Sequence, residues 1–347
     1  MRSMSVAHQE VLHLFDHYII NHIPAHLIYL GPGSEMRIVG RGELTKLVKP
    51  MKPKSNETDK IRSRQDAIRE LVKPALEYAI FSHRWLREGE PTFDDIRNGG
   101  ESGRDRFRKL SKFCEKAREM GYTLAWSDTC CIDKTNSAEL DEAIRSMFRW
   151  YRNAAICIVH LAETLSVEEM KKDPWFTRGW TLQEPLASLS IKFFNKDWNT
   201  ICHTDFANDK NDDSLMSDIS AITSIPVVDL QHFPPGPNQI RQKMAWPSKR
   251  TTTRIEDVAY SLVGIFDVSM PTAYGEGEWA FHRLMALIIE RCDEWEMFMW
   301  AGPSSSHGYS AAIPRSPRCY GQLDRLIFRR NEKMHKIWRC MVIGIPY

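Results

Sequence analysis

The feature that most constrains the fold is an alternation of short apolar runs with amphipathic segments between residues 78 and 161. The apolar runs are typical of buried β-strands, and the intervening segments place apolar residues at helical spacing. A strand–helix–strand–helix–strand order predicts an α/β fold with parallel strands and right-handed crossovers. The strands are predicted at 78–82, 123–127 and 154–161, and the helices at 107–120 and 136–151.

The remaining pattern predicts smaller elements around this core. Short strands are expected at 27–30 and 36–39, on either side of the Gly31-Pro32-Gly33 turn, and a further strand at 191–194. Residues 46–66 are predicted to be a linker, 203–218 a loop, and 255–266 and 278–292 helices. The chain is therefore divided into an N-terminal extension and linker (1–66), an α/β domain (67–200), a helical region (201–300) and a poorly patterned tail (301–347).

Composition limits the classes of partner. The formal net charge is +2, which favours neither nucleic acid nor a membrane surface, and the basic run at 104–109 is interpreted as a solvated helix face. The eight cysteines contain no CxxC pair, so a zinc ribbon is disfavoured and no metal is expected. Irregularly spaced cysteines, no signal-peptide pattern and no apolar run of membrane-spanning length indicate a reduced, cytoplasmic protein.

Polar residues follow the predicted strands at one edge of the sheet. His83 and Arg84 come after the first strand, and Asp128 comes after the second. In open α/β sheets, ligands bind outside the carboxyl ends of the strands. We therefore expect a ligand site near these side chains.

The stretch Trp175–Glu184 contains two tryptophans, an arginine and one carboxylate. Trp180 and Glu184 are four residues apart, so on a helix they would share one face, an aromatic wall beside a single acid. A carboxylate in such a pocket can perform chemistry that a solvated one cannot. The alternative is that Trp180 belongs to the core and that Glu184 caps a helix or forms a salt bridge.

Four segments in order carry a family resemblance. They are Tyr78–Trp85, Ser127–Lys134, Glu142–Ala154 and Arg178–Glu184. Together they resemble the fungal heterokaryon-incompatibility (HET) domain over about residues 78–186, and the segments 252–266 and 270–277 resemble the region that commonly follows that domain.

The resemblance implies both a fold and a chemistry. HET domains are thought to be remote relatives of Toll-receptor-type (TIR) domains, which implies a flavodoxin-like parallel sheet with a mostly helical C-terminal extension. The implied biology is heterokaryon incompatibility, an innate immune-type programmed cell death. Glu184 occupies the position of the TIR glutamate that is catalytic in enzymes that cleave NAD, so NAD is the expected substrate and no further cofactor is expected. Activation through self-association or through a sensor or oligomerisation partner is also expected.

The resemblance also suggests roles for the neighbouring residues. His83 and Arg84 would contact pyrophosphate or ribose, unless they form a strand-end cap or a surface pair. Asp128 would orient the ribose or form a turn, Trp180 would line the pocket or pack beneath it, and Arg178 would bind a carboxylate or a phosphate.

Three other functions remain open at this point. One alternative is a non-enzymatic death-signalling adaptor that assembles with itself, in which Glu184 is structural. Cys130 or Cys131 with His160 would suit a cysteine hydrolase. A metal site of Asp128, Asp133 and Glu184 is a further alternative, although Asp133 is predicted to be a turn residue.

Overall fold

The computed structural model describes residues 2–33, 35–51, 63–86, 89–99, 105–202, 206–307 and 312–321. These residues belong to two compact units, Met1–Phe176 with Gln183–Pro234, and Thr177–Leu182 with Pro235–Tyr347. Residues 52–62 of the predicted linker and the predicted tail after 321 lie outside the described residues. None of the described helices has the length and apolar character needed to cross a bilayer.

The first unit contains a six-stranded mixed sheet with the order β2-β1-β4-β3-β5-β6. Strands β3, β4, β5 and β6 run parallel to one another, whereas β1 is antiparallel to both β2 and β4. The α/β class is confirmed, but the expectation of a purely parallel sheet is wrong at this edge. The turn between β1 and β2 is too short for a crossover connection, so these two strands must pair as an antiparallel hairpin. The strands are β1 (His26–Leu30), β2 (Met36–Gly40), β3 (Ala79–His83), β4 (Leu124–Trp126), β5 (Ile156–His160) and β6 (Ile191–Phe194).

Helices surround the sheet, and the described part of the second unit contains four α-helices separated by turns and irregular segments. In the first unit they are α1 (Arg2–His22), α2 (Arg41–Leu47), α3 (Arg64–Ala67), α4 (Phe93–Arg97), α5 (Asp105–Glu119), α6 (Ser137–Asn153), α7 (Gln183–Ala187), α8 (Asp213–Thr223) and α9 (Val227–Gln231). In the second unit they are α10 (Ile240–Ala245), α11 (Asp257–Tyr260), α12 (Trp279–Ile289) and α13 (Arg318–Gly321). A π-helical turn spans Ile68–Val72, and 3₁₀ turns span Lys73–Leu76, Val167–Lys172, Pro174–Thr177, Trp180–Leu182, Asp209–Asn211, Trp246–Lys249 and Trp295–Phe298.

Helices α5 and α6 cover opposite faces of the sheet. The ring of Phe113 on α5 stacks on that of Phe81 in β3, with 4.4 Å between ring centres. The ring of Trp126 in β4 meets that of Trp150 on α6 edge-on, at 5.7 Å. Trp126 is in register with Ile80, the neighbour of Phe81, and successive strand residues point to opposite faces. The sheet is therefore buried on both sides, as the apolar strands predicted.

Two predictions beyond the sheet are wrong and one is confirmed. The predicted loop at 203–218 contains the start of α8, because the side chain of Asp212 caps that helix by accepting from the backbone N–H of Leu215. The predicted helix at 255–266 is reduced to α11 followed by turns, where Val263 bonds three residues back to Tyr260. Glycine and β-branched residues in that segment disfavour a continuous helix. The predicted helix at 278–292 is confirmed as α12.

Candidate functional site

Glu184 lies in the first turn of α7, with 5% of its surface exposed. The 3₁₀ turn Trp180–Leu182 precedes α7, so the stretch from Trp180 to Glu184 is not the continuous α-helix that was expected. The hydroxyl of Ser82, near the end of β3, donates to Glu184 Oε2. That hydroxyl accepts in turn from the indole N–H of Trp175, at 2.9 Å. Glu184 is thus held at the carboxyl end of the parallel sheet by a relay of two donors.

The hydroxyl of Tyr151, on α6, also lies close to Glu184. Its oxygen also lies 2.8 Å from the carbonyl oxygen of Phe81, to which it donates. Burial, followed by the negative charges of Glu184 and Asp128, raises the pKa of Tyr151 well above its usual value. The phenol therefore stays protonated at neutral pH, and both carboxylates lie within electrostatic range of it.

Asp128 follows β4, as the sequence predicted, and faces the same region. Its Oδ2 accepts from the indole N–H of Trp85 at 2.9 Å. The Lys134 ammonium lies 4.1 Å from the centre of that indole ring, a favourable cation–π distance. Asp128 and Glu184 therefore both lie within electrostatic range of Tyr151, and the exposed Trp85 lies beside Asp128.

His83 lies on the opposite face of the sheet from Ser82 and Glu184, because the two side chains alternate along β3. Its ring stacks on Phe81 at 4.1 Å, and its Nε2 lies 3.6 Å from Glu90 Oε1. Glu90 forms a buried ion pair with Lys109 of α5. Burial raises the pKa of Glu90, an effect that the Lys109 charge opposes.

Glu90 and Lys109 lie at the edge of the candidate site, and the sequence analysis did not predict either of them. Lys109 ends the basic run that was interpreted as a solvated helix face, yet its side chain is only 7% exposed. That interpretation is wrong for Lys109, because its ammonium also donates to the Arg84 carbonyl oxygen at 2.9 Å. Lys109 lies four residues before the buried Phe113 on α5, so helical periodicity places the two on one face, which was the available signal.

The remaining predicted residues have other partners. The Arg84 guanidinium donates to Glu163 in an exposed pair at 2.8 Å. In the second unit, the Trp180 side chain hydrogen-bonds to Asp257. The backbone carbonyl of Arg178, also in that unit, accepts from the Arg250 guanidinium at 2.8 Å. The tryptophan that contacts the Glu184 network is therefore Trp175.

The geometry does not favour the cysteine hydrolase. Cys131 is buried, and burial raises the pKa of its thiol well above the usual value, opposite to the shift that activates a nucleophile. His160 stacks on Trp198 at 4.2 Å, and burial lowers its pKa to about 4.

The metal alternative also finds no support in the part of the chain that the structure describes, where no three His, Cys, Asp or Glu side chains are grouped to bind a metal ion. Asp133 accepts from the backbone N–H of Thr135 at 2.9 Å, which confirms the prediction of a turn residue.

The arrangement around Glu184 is suited to electrostatic chemistry. Its known neighbours Ser82 and Tyr151 are neutral hydroxyls, which orient a carboxylate without cancelling its charge. In a water-poor environment such a charge acts strongly on a positive centre nearby.

Comparison with known proteins adds a family context. Residues 78–169 match the family model described as Heterokaryon incompatibility protein (HET). The matched segment runs from β3 to the turn after β5 and includes His83, Arg84 and Asp128, but it ends before Glu184. No solved structure matches this chain.

One curated relative shares a longer segment. The vegetative incompatibility protein HET-E-1 of Podospora anserina is 42% identical over 224 residues. That alignment covers 61% of this chain and only 16% of the relative, so the chain spans a small part of that protein.

Proposed function

Because this chain carries a HET domain, matched at residues 78–169, we propose that it acts in heterokaryon incompatibility as a module that cleaves the nicotinamide–ribose bond of NAD. The relative with 42% identity is named a vegetative incompatibility protein, which supports the biological setting. The chemical assignment follows the resemblance of the Trp180–Glu184 stretch to the TIR motif. Cell death as the outcome belongs to the same proposal.

The observation that carries the chemical proposal is the state of Glu184. Its carboxylate is almost fully buried at the carboxyl end of β3, accepts a hydrogen bond from the Ser82 hydroxyl and lies close to the Tyr151 hydroxyl. Ligands of open α/β sheets bind at this edge. Asp128 and the exposed Trp85 lie on the same side and would contact the ribose and a base or ring.

The reaction needs little acid–base chemistry. Nicotinamide departs from a cationic pyridinium nitrogen and leaves as a neutral molecule, so no general acid has to protonate it. This differs from ordinary glycoside hydrolysis, which uses two carboxyl groups. One carboxylate is enough to stabilise the positive charge that develops on the ribose, and Glu184 would serve in that role. Ser82 and Tyr151 would hold the Glu184 carboxylate in the same orientation in the ground state and in the transition state.

Nicotinamide release from NAD tests the proposal. The full 347-residue protein is assayed at low and high concentration, so that activation by self-association is included. We expect Glu184→Gln to reduce the rate by about 10²-fold or more, the scale of removing one preorganised electrostatic group. Glu115→Gln, at an exposed glutamate of α5, is the matched control and should leave the rate unchanged.

Folding and catalysis must be separated in this assay, because Glu184 is buried. Ser82→Ala removes a donor to Glu184 while retaining the carboxylate, and thermal unfolding of each variant shows whether it folds. A folded Glu184→Gln variant that releases nicotinamide at the wild-type rate would refute the assignment.

The burial of Glu184 also favours a second candidate function. A buried carboxylate that accepts from Ser82 and lies close to Tyr151 suits a structural role in a non-enzymatic adaptor that signals by self-assembly. Concentration-dependent assembly without nicotinamide release at any concentration would support the adaptor over the enzyme.

A further inference from the structure

Lys210 is a buried lysine that the proposed NAD chemistry does not use. It lies in the 3₁₀ turn Asp209–Asn211, with 4% of its surface exposed. Its neighbour Asp209 is ion-paired with Lys192 at 2.7 Å and accepts from the Phe193 backbone, so this carboxylate is occupied elsewhere. Within the described part of the chain, the hydrogen bonds of Lys210 involve its backbone N–H and carbonyl, and its ammonium has no carboxylate partner.

Lys210 lines a cavity of about 220 Å³ within the first unit. Arg152, at the end of α6, and Ser188, just before β6, line the same cavity. These positions lie near the amino ends of β5 and β6, whereas Glu184 is bonded near the carboxyl end of β3. The cavity is therefore separate from the side chain of Glu184, although its lining residue Ser188 donates to the Glu184 backbone carbonyl at 2.8 Å.

The cavity is positively charged and reaches the surface. Arg152 and Lys210 both line it, and its lining contains no aspartate or glutamate. The Arg152 guanidinium is held by the Phe233 carbonyl at 3.2 Å, which leaves its other N–H groups for a ligand. The exposed residues Leu189 and His232 belong to the same lining and form the mouth.

The electrostatic environment of Lys210 is that of a buried cation without a carboxylate partner among the residues that the structure describes. Burial is the main cause that lowers the pKa of Lys210 to about 8; the Cys157 thiol opposes this shift, repulsion from Arg152 adds to it, and no carboxylate contributes. Two cations around one cavity repel each other unless an anion lies between them. The Arg152 guanidinium and the Lys210 ammonium would donate hydrogen bonds to the oxygens of such an anion, since both kinds of group are common phosphate binders.

We propose that the cavity lined by Arg152 and Lys210 binds a small phosphate-type oxyanion, either inorganic phosphate or a small phosphate monoester. The volume of about 220 Å³ lies below the range of roughly 300–1,000 Å³ that drug-sized ligands occupy, which excludes a dinucleotide. Ser188 and Gln231 also line the cavity, but the Ser188 hydroxyl donates to the Glu184 carbonyl and the Gln231 amide donates to the Lys210 carbonyl and to Asp213, so Arg152 and Lys210 supply the donors for the anion.

Calorimetric titration of the full-length protein tests the site. The probes are inorganic phosphate, ribose 5-phosphate and acetate, each at constant ionic strength set with chloride. We expect phosphate or ribose 5-phosphate to bind at least tenfold more tightly than acetate, and the tighter of the two identifies free phosphate or a monoester as the ligand class. Lys210→Met and Arg152→Gln should each weaken that binding at least tenfold, whereas Lys116→Gln, on α5, should not change it.

A second measurement on the wild-type protein avoids dependence on variants that fail to fold. Acylation of Lys210 by an amine reagent, followed by mass spectrometry, reports on its free amine. Phosphate should slow this modification at least several-fold relative to chloride, while Lys116 remains unaffected. Absence of phosphate and ribose 5-phosphate binding, equal binding of acetate, or no protection of Lys210 would overturn the proposal.

Discussion

Replacing Lys210 with methionine should change how the stability of this protein depends on pH. Methionine keeps the length and apolar character of the stem but cannot carry a charge. The relevant pKa in the folded protein is about 8, against 10.5 for an ordinary lysine. The buried ammonium therefore destabilises the folded state wherever it is charged, and the variant removes that penalty.

The sign and size of the effect follow from proton linkage. Because the folded-state pKa lies below the unfolded one, the unfolded chain binds more protons between pH 8 and 10.5, and stability rises with pH in that window. At about 1.4 kcal/mol per pKa unit, the wild-type protein should gain roughly 3 kcal/mol relative to Lys210→Met on going from below pH 8 to above 10.5. Below pH 8 the penalty is fully present in the wild-type protein.

Urea unfolding of both proteins at matched pH values, in phosphate-free buffer, measures this difference. Subtracting the two curves removes the titrations that the proteins share. Arg152 and Cys157 are the other groups that act on Lys210, and burial raises the pKa of the Cys157 thiol far enough to keep it protonated throughout. A difference curve that stays flat from pH 7 to 10.5 would show that Lys210 has a partner in the folded state, and would refute the reasoning behind the anion cavity.

Two further variants test the local structure. Asn136→Ala removes the side chain that accepts from the N–H groups of the first turn of α6; it should lower the free energy of unfolding by about 1 kcal/mol and Tm by about 2–4 °C, whereas Asn136→Asp should retain the wild-type Tm in a thermal melt. An unchanged Tm for the alanine variant would contradict the cap. Gly179→Ala would place a methyl group 2.4 Å from Thr252 Cγ2, so it should cost about 1–3 kcal/mol by urea unfolding, most of it recovered by adding Thr252→Ser. A double variant no more stable than the single one would contradict this contact.

Most of the sheet was predictable from the sequence, because its strands are short, apolar and separated by periodic helices. The predicted strands at 78–82, 123–127, 154–161 and 191–194 correspond to β3, β4, β5 and β6. Strands β1 and β2 were also predicted, on either side of a turn, but their addition to the same sheet was not. Pairing between β1 and β4 joins residues far apart in the chain, and no local pattern specifies such pairing.

The candidate site was only partly predictable. Glu184 and Asp128 were found because strand ends and an unusual aromatic stretch mark them in the sequence. In the structure, His83 and Glu184 lie on opposite faces of the sheet, since neighbouring strand residues face opposite sides. The tryptophan that contacts the Glu184 network is Trp175, whereas Trp180 bonds to Asp257. Trp180 lies in a 3₁₀ turn that ends before α7 begins at Gln183, so Trp180 and Glu184 do not share one face of a continuous α-helix.

The sequence by itself determined which residues are buried in strands and helices, because apolar periodicity is a local property of the chain. It also identified the motif that contains Glu184. Only the tertiary structure decided what surrounds each charge. The Ser82 donor to Glu184 comes from β3 and the nearby Tyr151 from α6, whereas the groups that act on the charge of Lys210 come from α6 and β5. Electrostatic environment depends on such distant neighbours, so a buried acid held by hydroxyls and a buried lysine beside an arginine emerge only once the chain is folded.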